Sequence, residues 1–273
     1  LRNYAMERFL ERLSASKYRN CFILKGGMLI SAMVGIDSRA TMDIDTTLRN
    51  YPLNCESAEQ IVRQIADVEI DDKISFVIKK TEEIMEDSEY QGVRLSLDAY
   101  LDKTRIPLKI DISTGDVITP CEISFSYQLM FENRTIPLLA YPPETVLAEK
   151  LETILSRGEA NTRLRDFYDV YILQREDFVV TPDALCHALL ATCRKRGHED
   201  LLHTYASILD RVRQSDTMRT QWMKYQSDFD YAAGITWDTV LDTVETLCMK
   251  TLDDHAFGDE LPQEESQFEM HLL

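Results

Sequence analysis

The chain has 273 residues, of which 44% are hydrophobic, with 9 glycines, 8 prolines and a formal net charge of −17. This composition can fill a large core and excludes a wholly disordered, collagen-like or low-complexity protein. The charge argues against a general nucleic-acid coat protein, because an acidic surface repels phosphate, but it leaves room for a local basic cleft.

No apolar run approaches the roughly 18 residues of a membrane span, and the first residues are charged, unlike a signal peptide. Six cysteines are scattered without a C-x-x-C pair, which indicates reduced thiols inside a cell. Cys186 and Cys193, with His187 and His198 nearby, match no zinc template and are interpreted as helix-core cysteines. We therefore expect a soluble, cytoplasmic protein that makes no membrane contact.

The N-terminal half alternates between helical and strand-like patterns. An amphipathic pattern at 3–17 predicts a helix, and the apolar run at 21–24 predicts a buried strand that stops at Lys25-Gly26-Gly27. Farther along, helices are predicted at 28–34 and 56–67, and strands at 42–46, 74–78, 93–101 and 106–112.

Past Pro142-Pro143 the pattern is helical, with segments at 144–157, 163–174, 182–195, 199–213, 217–229 and 237–252. The fold class is therefore α+β, with a mixed-sheet domain at 1–141 and a helical domain at 142–252. Residues 253–273 carry seven acidic side chains and no Lys or Arg, so we expect an acidic, mobile tail.

Basic residues cluster twice in the helical half. Arg157, Arg163, Arg165 and Arg175 form the first cluster, for which a solvated helix face and a functional surface both stay open. The run Arg194-Lys195-Arg196 is interpreted as a solvated helix face.

Asp43 and Asp45 lie two positions apart in a predicted strand, so both side chains point to one face of the sheet. Adjacent carboxylates repel each other unless a cation lies between them, and Mg²⁺ is the oxygen-preferring cation of phosphoryl and nucleotidyl transfer sites. On its own, the D-x-D motif is common by chance, and glycosyltransferases use it to hold nucleotide sugars.

Two features strengthen a phosphate-transfer interpretation. At a strand-to-helix junction, Lys25-Gly26-Gly27 would let the backbone approach a ligand and expose the N–H groups of a helix N-terminus to phosphate. In a later strand, Asp111 would join Asp43 and Asp45 if the two strands pair, and three carboxylates can hold two metal ions about 4 Å apart. The alternative for Asp111 is an ordinary surface aspartate near a strand end.

The sequence resembles a known family in five segments that follow one another in order. These are Leu24-Lys-Gly-Gly-Met-Leu29, Arg39-Ala-Thr-Met-Asp-Ile-Asp45, Leu108-Lys-Ile-Asp-Ile112, Glu149-Lys150 and Arg165-Asp-Phe-Tyr-Asp-Val-Tyr171. Together they resemble the AbiEii/AbiGii-type nucleotidyltransferase toxins over roughly residues 20 to 175. The resemblance implies a fold similar to DNA polymerase β-like nucleotidyltransferases, followed by a helical C-terminal half.

The resemblance also implies roles for particular residues. Gly26 and Gly27 would cradle a triphosphate, while Asp43, Asp45 and Asp111 would be catalytic metal ligands for Mg²⁺, with two ions expected. The lysine and aspartate that match Lys150 and Asp166 are active-site residues in the family.

Elementary chemistry adds to these carried-over roles. Lys150 can offset developing phosphate charge, and either Asp166 or Asp169 can orient that lysine or the nucleotide. Asp169 is as well explained by a helix-surface pair with Arg165, four positions before it. Arg39 is a further candidate for phosphate binding.

Two other features leave alternatives open. Met28 stands where many nucleotidyltransferases carry a hydroxyl residue, so one phosphate contact is lost or comes from the backbone. Arg94, on a predicted central strand, is explained either by substrate contact or by pairing with Asp98 or Asp111. A C-terminal set of aromatic residues could stack bases but is interpreted as core packing; its members are Trp222, Tyr225, Phe229, Tyr231 and Trp237.

The leading hypothesis is thus a Mg²⁺-dependent enzyme that transfers a nucleoside monophosphate from an NTP to an RNA acceptor. By resemblance, the acceptor is the tRNA 3′ end and the protein partner is an antitoxin encoded beside the toxin. The resemblance also implies a role in phage defence or growth control. The second hypothesis is a module that binds GTP or another NTP without transferring it. A D-x-D glycosyltransferase is the third, and it gives no role to Lys150 or Asp166.

Overall fold

A computed structural model of the protein describes residues 1–35, 38–39, 41–86, 90–175 and 180–253. The predicted acidic tail, apart from Asp253, lies outside the described residues. No helix among the described residues is long and apolar enough to cross a membrane.

Within the described residues, one mixed sheet has the strand order β3-β4-β5-β2-β1-β7-β6. Its strands are β1 Phe22–Lys25, β2 Asp43–Leu48, β3 Ile74–Glu86, β4 Tyr90–Leu101, β5 Thr104–Ser113, β6 Ile123–Gln128 and β7 Thr135–Ala140. Parallel pairing joins β2 to β5 and β1 to β7, whereas the other neighbours are antiparallel. Three strands distant in sequence, β1, β2 and β5, therefore meet in the middle of the sheet.

Helices cover this sheet and form the C-terminal half. They are α1 Arg2–Ala15, α2 Gly26–Val34, α3 Cys55–Ala66, α4 Pro143–Arg157, α5 Leu164–Leu173, α6 Pro182–Arg196, α7 Leu201–Gln214, α8 Asp216–Asp228 and α9 Trp237–Leu252. Both α1 and α3 pack on the sheet, while α4 packs against α5, α6 and α7.

Local sequence explains where several helices begin and end. Asn54 caps α3, because its side chain accepts a hydrogen bond from the Ser57 backbone while the Ser57 hydroxyl accepts one from the Asn54 backbone. Thr181 caps α6, Pro182 occupies its first turn, and Gly197 ends it in the left-handed conformation.

The two faces of the central strands differ in chemistry. Ile44, Ile110 and Ile112 are at most 1% exposed and belong to the hydrophobic core, on which α1 packs. Because side chains alternate along a strand, Asp43 and Asp45 of β2 and Asp111 of β5 project from the opposite face. Burial of the isoleucines thus fixes the side on which the carboxylates stand.

The structure confirms an α+β fold with a mixed sheet followed by helices, but two strands were missed. β6 and β7 form a hairpin that extends the sheet beyond β1. β7 contains Pro137, which lacks a backbone N–H and disfavours a strand assignment, and β6 alternates serine with apolar residues at the edge of the sheet. The sheet ends at Ala140 and α4 begins at Pro143, whereas the domain boundary near residue 141 stays a prediction.

Candidate functional site

The strand-to-helix junction at Gly26 brings the backbone against a carboxylate. β1 runs directly into α2 there, and Gly26 has φ +63°. A Cβ atom on Gly26 would lie 2.2 Å from Asp45 Oδ2, so both the backbone conformation and the lack of space require glycine. The Gly27 N–H donates to Asp45 Oδ2 at 3.3 Å. The first turn of α2 therefore faces the acidic edge of β2.

Pairing of β2 with β5 brings the third carboxylate to the same place. Asp45 and Asp111 are direct partners in the parallel register, and Lys25 is the partner of Asp45 on the other side. Strands β1, β2 and β5 thus place the glycine turn, Asp45 and Asp111 side by side across the sheet. Asp43 lies on the same face, two residues before Asp45 along β2.

Arg94 of β4 neutralises Asp111. Its Nε donates to Asp111 Oδ1 at 2.8 Å and its Nη2 to Oδ2 at 2.6 Å, a bidentate pair in register across β4 and β5. The hydrogen bond to Asp111 is the main cause of the raised pKa of Arg94, to which the negative charge of Asp43 also contributes. Of the alternatives left open for Arg94, the structure shows the pair with Asp111.

The same carboxylates test the fit of a magnesium site. Three aspartates on one face of adjacent strands supply the oxygen donors that a hard cation prefers. Among the described residues, however, no group of three His, Cys, Asp or Glu side chains is arranged as a ready metal site. The donor set therefore fits Mg²⁺ in chemistry, while Arg94 provides the countercharge for Asp111.

Lys150 of α4 lies opposite the sheet, beside two aspartates of α5. Its Nζ is 2.6 Å from Asp166 Oδ1 and 3.4 Å from Asp169 Oδ2. Although burial lowers the pKa of Lys150, the two carboxylates raise it above its ordinary value overall. Asp166 Oδ2 is buried and, within the described part of the chain, has no hydrogen-bond partner. The other carboxylate oxygen, Oδ1, is held by the Lys150 ammonium.

Arg39 and Asp169 form a buried ion pair that ties the segment before β2 to α5. Arg39 Nε donates to Asp169 Oδ1 at 2.6 Å, and both side chains are at most 1% exposed. Burial alone would raise the pKa of Asp169, but Arg39 and Lys150 lower it. Asp169 is thus paired with Arg39 and Lys150. Nucleotide binding by Arg39 and Asp169 stays a prediction.

Beneath the glycine turn lies a polar network that sequence analysis missed. Asp116 Oδ2 accepts hydrogen bonds from Lys25 Nζ at 3.1 Å, from Ser113 Oγ at 2.6 Å and from the Thr47 hydroxyl. Burial raises the pKa of Asp116, but the charge of Lys25 and these hydrogen bonds lower it well below the ordinary value. Asp116 stands in the segment after β5 with no motif or spacing to mark it, so no sequence signal was available.

These groups line one cleft with a volume of about 1420 Å³. Its lining includes Gly26, Gly27, Asp45, Asp111, Lys150 and Asp166, whereas Asp43 and Asp169 are not among the lining residues. We call its lining residues from Glu149 to Phe229 the helical wall. Arg157, Arg163 and Arg165 of the first basic cluster belong to this wall.

The cleft is more basic than the protein as a whole. Among the described residues, nine Lys or Arg and seven Asp or Glu side chains line it, although the chain has a net charge of −17. Arg196 is one of the nine and donates to Glu152, which also bonds His198 Nδ1. The interpretation of Arg196 as a solvated helix residue was therefore wrong, because it faces this cleft.

A glycine turn, a carboxylate row and a basic opposite wall define a site for phosphate-bearing ligands. The family model described as "Nucleotidyl transferase AbiEii toxin, Type IV TA system" matches residues 8–243, so the chain belongs to this family. The resemblance read from the sequence is confirmed, and the protein is a nucleotidyltransferase toxin. Membership in a type IV family implies an antitoxin partner and a nucleotide substrate.

Two solved structures are similar in outline. JHP933 from Helicobacter pylori matches with a TM-score of 0.48 and 14% identity over 93% of each chain. A candidate nucleotidyltransferase from H. pylori matches with a TM-score of 0.46 and 14% identity, covering 92% of this chain and 95% of the other. No curated protein matches the sequence.

Proposed function

We propose that this toxin uses Mg²⁺ to transfer a nucleoside monophosphate from an NTP to an RNA acceptor, the tRNA 3′ end. In this reaction an acceptor hydroxyl oxygen bonds the α-phosphorus, the bond from that phosphorus to the pyrophosphate oxygen breaks, pyrophosphate leaves, and the hydroxyl proton passes to solvent. The observation that carries the proposal is the register of Asp45 beside Asp111, with Gly26 packed against Asp45.

The carboxylate row would hold the metal. Asp43, Asp45 and Asp111 would be the ligands, and bound Mg²⁺ supplies charge neutralisation of the triphosphate and a lower pKa for the attacking hydroxyl. Arg94 makes two hydrogen bonds to Asp111 and must release at least one oxygen for it to bind a cation. A released Arg94 guanidinium can then bind phosphate.

The glycine turn and the helical wall would bind the nucleotide. Backbone N–H groups at the start of α2 face the carboxylate row, where a triphosphate would lie. Lys150 carries a positive charge on the opposite wall and can stabilise charge that develops on phosphate. Asp166, which also lines the cleft, would position the Lys150 ammonium through its Oδ1.

Replacing one carboxylate tests the proposal. The Asp45→Asn variant should lose at least about a hundredfold in transfer rate, because it removes a ligand charge without changing side-chain shape. The assay incubates protein, Mg²⁺, each labelled NTP in turn and total cellular RNA, then identifies the labelled product. Asp71→Asn, at an exposed turn, is the matched control. Full transfer by a folded Asp45→Asn protein would exclude this mechanism.

A nucleotide-binding module is the second candidate. It requires NTP binding without a covalent product, which calorimetry with NTP and Mg²⁺ alongside the transfer assay would detect. Family membership favours catalysis. We further propose that the protein acts in the cytoplasm, paired with an antitoxin encoded beside it, in growth control or phage defence.

A further inference from the structure

The helical wall of the cleft ends in an aromatic stack. Trp222 is 1% exposed and stacks on Tyr225, with ring centroids 5.3 Å apart. Tyr225 contacts Phe229 at 4.7 Å, and Phe229 stacks on Tyr231 at 5.3 Å. Phe229 is only partly buried and lines the cleft. Tyr225 and Tyr231 lie on adjacent sides of the Phe229 ring and hold it in place, while the ring also lines the cleft.

Cations stand on the same wall. Lys224 and Arg165 are exposed cleft residues, and neither side chain forms an ion pair or a hydrogen bond with another described residue, although the charge of Arg165 helps to lower the pKa of Asp169. Arg165 belongs to α5 and Lys224 to α8, and these helices pack together through Tyr168 and Tyr225. Positive side chains on the same cleft wall as an aromatic ring are a combination that binds single-stranded nucleic acid, since the cations contact phosphates and the ring stacks a base.

The cleft also has room for two ligands. Small-molecule pockets measure roughly 300–1,000 Å³, and this cleft has about 1420 Å³. The glycine turn and the carboxylate row occupy the sheet side, whereas Phe229 and Lys224 belong to the helical wall. An NTP bound at the sheet side would leave the aromatic end for the acceptor.

We infer that Phe229 and Lys224 bind the unpaired 3′ end of the RNA acceptor, with a base of that end stacked on the Phe229 ring. This inference rests on the proposed transfer to RNA and deepens it, because a base can stack on a side chain only when it is unpaired. The acceptor should therefore be an RNA whose 3′ end extends beyond its duplex.

Direct binding tests this inference without any turnover. Two labelled RNA hairpins, one with a four-nucleotide 3′ overhang and one blunt, are titrated with protein by fluorescence anisotropy in the absence of NTP. Wild-type protein should bind the overhang RNA more tightly, and Phe229→Ala should weaken that binding roughly tenfold. Phe131→Ala, which removes an exposed ring outside the cleft lining, should change neither affinity.

Further variants separate stacking from packing. Phe229→Trp should keep the preference for the overhang, while Phe229→Leu, which retains apolar packing but lacks a π face, should lose it. Lys224→Glu should weaken binding of both RNAs, with Lys250→Glu on α9 as its control. NTP affinity measured by calorimetry should be unchanged in Phe229→Ala and Phe229→Leu.

Three results would overturn the inference. The first is that wild-type protein binds the blunt and overhang RNAs equally well. The second is that Phe229→Leu binds the overhang RNA as tightly as wild type. The third is that Phe229→Leu weakens only NTP binding, which would indicate that the ring contacts the nucleotide base. An overhang preference lost in Phe229→Leu supports the inference even if wild-type protein transfers nothing, in which case only the proposed function fails.

Discussion

Arg94 is the residue on which the resting state of the carboxylate row depends. Its two hydrogen bonds hold both oxygens of Asp111, and its side chain is one-third exposed in the cleft. A divalent cation must compete with this guanidinium for the same oxygens. Under the proposed function, this pair would weaken metal binding at Asp111 until a triphosphate binds Arg94.

We predict that Arg94→Gln raises the affinity for Mn²⁺, measured by calorimetry without nucleotide, by roughly tenfold, or about 1.4 kcal/mol. The reason is that Asp111 loses its countercharge. Arg105→Gln is a matched control, since Arg105 pairs with Asp98 on the same two strands but does not line the cleft. Equal Mn²⁺ affinity in wild-type and Arg94→Gln proteins would show that Arg94 does not compete with the metal.

At this scale, part of the site could be predicted from sequence. The two-residue spacing of Asp43 and Asp45 predicts that both side chains lie on one face of their strand. The glycines of Lys25-Gly26-Gly27 predict the turn between the first strand and the helix that follows it. Asp116 and the orientation of Arg196 could not be predicted, because each depends on partners more than 40 positions away, Lys25 and Glu152.

At the scale of elements, the Lys25–Asp116 pair fastens the segment after β5 to the start of α2. Lys25 is 7% exposed and its Nζ also lies 5.9 Å from the centre of the Tyr141 ring. Thr47 of β2 donates to Asp116 and shares a hydrogen bond with the Tyr141 hydroxyl. The network therefore joins β1, β2, β5 and the residue just after β7 beneath the glycine turn.

We predict that Asp116→Asn lowers the free energy of unfolding by about 3 kcal/mol at pH 7, because the buried Lys25 ammonium loses the negative charge to which it is hydrogen-bonded. The pKa of Asp116 is lowered in the folded protein, so its stabilisation is complete above the ordinary carboxyl pKa of about 4 and is lost as the pH falls toward the folded value. The difference between variant and wild type should accordingly shrink below about pH 4.

Urea unfolding at several pH values measures this effect. Asp102→Asn is the control, since Asp102 is exposed in the β4–β5 turn and asparagine tolerates its positive φ. A stability loss that stays constant down to pH 3 would contradict the assignment of the effect to the Asp116 charge.

Helices and strands could be predicted where the apolar residues recur with a clear period. Each predicted helix is present with bounds shifted by at most a few residues, because amphipathic spacing and caps are local signals. Strand order was not predictable, since the parallel pairing of β2 with β5 joins residues more than 60 positions apart. The placement of Asp111 beside Asp45 depends on this pairing. From the sequence it could be predicted only by combining the family resemblance with the strand propensity around Asp111.

At the scale of the whole molecule, charge is distributed unevenly. A net charge of −17 opposes the approach of any nucleic acid, whereas the cleft carries more cations than carboxylates. Long-range repulsion combined with a short basic wall favours a ligand that inserts one end and makes few phosphate contacts. Composition excluded a coat-like binder, but only the folded chain shows where the cations gather.

We predict a shallow salt dependence for binding of the overhang RNA. Three cations of the helical wall, Arg163, Arg165 and Lys224, would contact about three phosphates. The slope of log K against log salt should then be about −2, since each contact with a single strand contributes roughly −0.7. Anisotropy titrations between 50 and 300 mM salt would measure this slope. Lys224→Gln should make the slope shallower by about 0.7, because one phosphate contact is lost. The control variant Lys250→Gln should leave the slope unchanged. A slope steeper than about −5 would instead require an extensive phosphate-binding surface outside this wall.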